Sequence, residues 1–79
     1  MKPVTIYSTQ FCVYCKMAKE YFTKNNITFQ EFDVGTDLAK REEMVKKSGQ
    51  MGVPVIDVDG EIIVGFNKPK LAGLLNIPE

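Results

Sequence analysis

An apolar run, Val4-Thr5-Ile6-Tyr7, leads shortly into the only two cysteines of the chain, Cys12 and Cys15, which stand where a stretch of helical periodicity begins. A strand passing through a C-x-x-C pair into a helix constrains fold and chemistry together. One thiol falls at a helix N-terminus, where unsatisfied backbone N–H groups and the positive dipole end favour its anion. The thiolate is the nucleophile of thiol–disulfide exchange. A zinc cage needs four ligands, mostly Cys or His. With no His and no second cysteine pair, one molecule could supply only a half-site shared with another. A structural disulfide would close so short a loop that little unfolded-state entropy is removed. Without histidine no Cys–His ion pair forms, so the acidity of Cys12 is expected to come from the helix end, local N–H donors and Lys16. Cys15, one turn inward, is expected to be more buried and less acidic.

The chain has 79 residues, enough for one domain over 1–79 with a stability margin on the order of 3–5 kcal/mol. Ten basic residues balance ten acidic ones, leaving no net charge to attract nucleic acid or anionic lipid. The N-terminal apolar run is too short for a signal peptide or a membrane span. A monomer in a reducing cytoplasm is the expectation, because a lone cysteine pair fits that compartment better than a disulfide framework does.

The first strand is predicted at Val4 to Ser8, buried on both faces and ended by Ser8-Thr9-Gln10. From Val13 to about Lys24, Met17, Ala18, Tyr21 and Phe22 recur at helical spacing, and Asn25-Asn26 stops the helix. Ile27 to Val34 is predicted as a second strand from its β-forming residues and the following Gly35. Thr36-Asp37 caps a helix running through Lys47, with Leu38, Met44 and Val45 toward the core and Ser48-Gly49 closing it. After Pro54, Val55-Ile56-Asp57-Val58 and Glu61-Ile62-Ile63-Val64 flank Asp59-Gly60 as a hairpin. Asn67 caps a last helix with Pro69 in its first turn and Leu71, Leu74 and Leu75 on one face, ending before Pro78. The order β-α-β-α-β-β-α predicts an α/β fold, a mixed four-stranded sheet flanked by helices.

In that order and in its motifs the chain resembles the glutaredoxin family, small members of the thioredoxin fold. The resemblance covers essentially the whole length and rests on Phe11-Cys12-Val13-Tyr14-Cys15, Lys40-Arg41-Glu42-Glu43-Met44, Gly52-Val53-Pro54 and Val64-Gly65-Phe66. It implies a thiol–disulfide oxidoreductase with Cys12 as nucleophile and Cys15 as resolver, no tightly bound cofactor, and glutathione as co-substrate. It also implies a cis Val53–Pro54 bond and a Val53 backbone that pairs with substrate like a short added strand. Read from the residues alone, Pro54 could equally begin an edge strand as a trans proline. Phe11, Tyr14 and Phe66 are expected to rim the substrate site, and Phe22, Phe29 and Phe32 to lie in the core.

Two departures bear on the reductant. Ser8 and Thr9 occupy places where many glutaredoxins carry a base that meets a glutathione carboxylate. Val64-Gly65-Phe66-Asn67-Lys68 stands in place of Gly-Gly-Asp. These, with Val13 for the usual proline, are similar to small redoxins that thioredoxin reductase recharges. Gly65, Phe66, Asn67 and Lys68 nonetheless offer a carboxylate site at the start of the last helix, although Lys68 and Lys70 read equally well as solvated charges. A function of another class, carriage of a [2Fe–2S] cluster, would need Cys12 from two chains and two glutathione thiolates.

Overall fold

The computed structural model describes residues 2–78. Its elements follow the predicted order: β1 (Val4–Ser8), α1 (Val13–Lys24), β2 (Gln30–Asp33), α2 (Leu38–Ser48), β3 (Val55–Val58), β4 (Glu61–Val64) and α3 (Lys68–Leu75). The sheet has four strands in the order β2-β1-β3-β4. β1 pairs parallel with β2, Thr5 opposite Gln30, and antiparallel with β3, Ile6 opposite Ile56. β3 and β4 form the hairpin, Ile56 opposite Ile63. Its turn has Asp59 and Gly60 at φ 50° and 94°, the doubly left-handed geometry that matches strand twist, and the Asp57 carboxylate accepts the Gly60 N–H at 2.7 Å.

Alternation along β1 divides the core in two. Val4 and Ile6 point to one face, where Ala18 and Phe22 of α1, Ile56, Val58, Ile63 and Leu71 of α3 are buried around them. Tyr7 points to the other, with Val34, Met44 of α2 and Val55. β1 is covered on both sides, as its sequence predicts. The helix ends also follow their capping residues. Asp37 accepts the Lys40 N–H at 3.1 Å, Asn67 accepts the Lys70 N–H at 3.2 Å, and Gly49 closes α2 in a left-handed conformation.

Two expectations are corrected. The second strand is not Ile27 to Val34 but only Gln30–Asp33. After α1 the chain turns at Asn26, φ 59°, and the Ile27 N–H still bonds the Phe22 carbonyl at 2.8 Å. Ile27 and Phe29 therefore pack on the α1 face without joining the ladder. Leu38 does not enter the core. It is the first residue of α2 and 63% exposed, while Met44 and Val45 carry the inward face.

Candidate active site

Cys12 is the N-cap of α1, with extended backbone at φ −97° and ψ 111°. Its sulfur accepts the Cys15 N–H at 3.1 Å, and its carbonyl accepts the Lys16 N–H at 3.1 Å. A capping oxygen would sit in the same place, so the sulfur receives one of the helix's orphan donors. The two cysteines form a disulfide with Cα atoms 5.2 Å apart. Cys15 is fully buried, whereas Cys12 is partly exposed. The two sulfurs therefore differ in their surroundings: that of Cys12 meets a helix N–H at the surface, and that of Cys15 is screened from water.

Tyr14, which stands between the two cysteines, shares a groove with the Val53–Pro54 peptide, and that peptide is cis. Pro54 is buried, and its carbonyl accepts the Gly65 N–H at 2.8 Å, joining the approach to β3 with the exit from β4. These segments border a shallow groove of about 640 Å³ lined by Tyr14, Met17, Val53, Pro54, Val64, Gly65, Phe66, Asn67, Lys68 and Pro69. Tyr14, Val53, Pro54 and Gly65 to Lys68 are thus brought together as the sequence predicts. Phe11 is 93% exposed and stands outside the groove lining. Phe66 reaches inward, edge-on to Tyr21 at 5.7 Å, and the Lys68 ammonium lies over the Tyr21 ring at 5.6 Å. Met17, which shares the helical spacing of Ala18, Tyr21 and Phe22, is 43% exposed and lines the groove. Its signal was its place three residues after Tyr14, one turn along the same helical side. Val64 and Pro69 were also missed; each adjoins a predicted site residue.

Of the two places where a base stands in many glutaredoxins, Thr9 is half-buried, and Ser8 is buried with its hydroxyl donating to Glu31 at 2.7 Å. Lys19 bonds the same Glu31 oxygen at 2.7 Å. The Lys19 hydrogen bond, and then that from Ser8, hold the Glu31 carboxyl below the usual carboxylate range. Among the described residues no three His, Cys, Asp or Glu side chains cluster as metal ligands, and no helix is long and apolar enough to cross a membrane.

A helix-capping dithiol and a cis-proline loop, on a mixed sheet of this order, define a thiol redox protein of thioredoxin-like fold. The chain belongs to the glutaredoxin family, whose model matches residues 4–63. It is 50% identical to a glutaredoxin-like 8.6 kDa protein of the rubredoxin operon of Clostridium pasteurianum, covering 91% of this chain and 96% of that one. It is 42% identical to glutaredoxin 3 of Escherichia coli, over 82% and 78% of the two chains. Among solved structures, a mutant of the thioredoxin-like protein BC3987 superposes with a TM-score of 0.91 at 36% identity, covering 99% of this chain and all of that one.

Proposed function

We propose that this chain reduces disulfide bonds in other proteins by a two-cysteine cycle and is recharged by thioredoxin reductase. The Cys12 thiolate attacks one sulfur of the target disulfide, forming a mixed disulfide and releasing the other sulfur as a thiolate, which takes up a proton. Cys15 then loses its proton and attacks the Cys12 sulfur. The second target thiol leaves, and the protein retains the Cys12–Cys15 disulfide. Two electrons and two protons have passed to the target, and the reductase returns two of each.

The observation that carries this reading is the place of Ser8. It is buried and committed to Glu31, so residue 8 offers no base to a glutathione carboxylate, and the ammonium brought to that spot, Lys19, is already paired with Glu31. Around the disulfide the surface is instead an apolar collar, with Phe11, Val13 and Tyr14 exposed by 93%, 70% and 62%. Such a collar suits a protein face better than a charged tripeptide. Partners are accordingly disulfide-bearing proteins and the reductase, met by a monomer in a reducing cytoplasm.

A second reading, recharging by glutathione and release of glutathione caps, is favoured by one feature. Lys68, with the backbone N–H groups of Asn67 and Lys68 that precede Pro69, borders the groove beside Val53, an arrangement suited to one carboxylate. The deciding assay supplies electrons to the oxidised protein from NADPH with thioredoxin reductase, or from glutathione with glutathione reductase. Faster turnover with thioredoxin reductase is expected, and turnover with glutathione alone would select the second reading. Cys15→Ser is expected to lose reduction of intramolecular protein disulfides under either.

A further inference from the structure

The residue before Pro54 presents a backbone that no other described residue uses: neither the Val53 N–H nor its C=O takes part in a hydrogen bond of the fold. The family resemblance implies that an extended disulfide-bearing segment pairs with these two groups, and this inference rests on that reading together with the function proposed above. Such a pairing depends on the direction of the groups before the substrate arrives, because an edge that must first be ordered gives up part of its binding energy.

Three residues upstream of Val53, the Gln50 side chain grips the backbone immediately before it. Its Oε1 accepts the Gly52 N–H, and its Nε2 donates to the Gly52 carbonyl at 3.0 Å. This is a strand-like, two-point pairing made by a carboxamide. The other Nε2 hydrogen reaches Ser48 Oγ at 3.3 Å, and that hydroxyl lies 2.8 Å from the Met44 carbonyl in the last turn of α2. The acceptor and both donors of the amide are in use, and the Gly52 N–H fixes which end is oxygen. The grip is thus anchored to a helix rather than to the loop alone.

Gly52 is the complement of that side chain. A Cβ there would stand 2.6 Å from Gln50 Oε1, too close for both to remain. The obstructing atom ends a flexible side chain, so an alanine would dislodge the amide before it moved the backbone. Gln50 and Gly52 therefore work as one device.

We infer that Gln50 is a positioning residue for substrate: by pairing with both backbone groups of Gly52 it holds Val53 in the direction from which an extended peptide is bound. It touches no reacting atom. Its removal is expected to weaken recognition of a peptide while leaving the chemistry of Cys12 unchanged.

The test uses the pre-reduced full chain in single turnover, so that the identity of the recharging system does not enter. One substrate is a peptide cysteine in mixed disulfide with cysteamine, flanked by three residues on each side. The other is hydroxyethyl disulfide, which has no peptide backbone. Gln50→Ala is expected to raise the half-saturating peptide concentration about five- to tenfold, with the limiting rate and the hydroxyethyl disulfide rate unchanged. Gly52→Ala is expected to do the same, and the double variant to lose nothing more. An unchanged half-saturating concentration, an equal loss on both substrates, or additive losses in the double variant would each overturn the inference. If the wild-type chain reduced neither disulfide, the oxidoreductase reading would fall by itself. The inference would then be decided by affinity for the same peptide with serine replacing cysteine: about five- to tenfold weaker in Gln50→Ala supports it, and equal or undetectable binding to both proteins refutes it.

Discussion

At the scale of single residues, the two cysteines stand in different surroundings, and the proposed division of labour between them is built on that difference. Cys12 meets the Cys15 N–H at 3.1 Å at the open end of a helix, while Cys15 is fully buried. Lys16, expected to help, is an exposed residue. A second set of polar residues lies under α2. The Tyr7 hydroxyl, on a side chain with no exposure, donates to Glu43 and accepts from Lys47 at 2.8 Å, and Lys47 also bonds Asp57 at 2.8 Å. Burial, then the Glu43 bond, raises the Tyr7 pKa; the bond to Asp57, then that to Tyr7, raises that of Lys47. Tyr7→Phe removes the shared hydroxyl but leaves its partners at the surface to regain water. The expected cost is about 0.5–1.5 kcal/mol, read from the denaturant midpoint; an unchanged midpoint would show that the hydroxyl contributes nothing. Lys47 reads in the sequence as a charge opposing the negative end of α2. Its reach to Tyr7 and Asp57 was illegible there, since both partners come from distant strands.

Elements with strong local signals were legible, and those decided by tertiary geometry were not. α1, β1, the hairpin and α3 lie where cap, periodicity and turn residues predict them. β2 is shorter because the Phe22 carbonyl holds Ile27 against α1, a tie that β-propensity cannot express. Leu38 and Met17 are apolar at core-like spacing, yet one starts its helix at the surface and the other faces the groove. In the site, the cysteines, Tyr14, Val53 and Pro54 were legible from their motifs. The grip of Gln50 was not, because a lone glutamine in a loop carries no periodic signal. α3 is seated mainly through Leu71, which has no exposure and lies among Ile6, Phe22 and Ile56. Leu71→Ala is expected to cost about 2–5 kcal/mol and to lower the melting temperature by more than about 8 °C. A smaller shift, followed by circular dichroism, would mean that α3 is not held by this contact.

For the whole molecule, a thin margin of about 3–5 kcal/mol makes charge pairs on both faces of the sheet matter to its pH range. Glu31 is lowered by its bonds from Lys19 and Ser8, and Glu43 by that from Tyr7. Burial pushes Asp57 upward, but the Lys47 bond, the Gly60 N–H and the Lys47 charge outweigh it and hold Asp57 low. Carboxyls depressed in the folded state contribute in full above their unfolded values of 4.5 and 3.8, and that contribution is lost as pH falls through the folded ones. Tyr7 and Lys47, raised when folded, contribute in full below 10.0 and 10.5 and lose it as pH rises through their folded values. The melting temperature is therefore expected to form a plateau through neutral pH that falls on both sides, and a melting temperature that stays level or increases as the pH is lowered well below 4.5 would contradict these assignments. The redox account depends on a more local property, the ease with which Cys12 gives up its proton. The most direct measurement is the pH profile of iodoacetamide labelling of the reduced protein, set beside an unfolded peptide containing Phe11 to Cys15. The midpoint for Cys12 is expected about one pH unit or more below that of the peptide, with Cys15 labelled slowly. A midpoint equal to or above the peptide's would contradict the claim that the start of α1 activates this thiol.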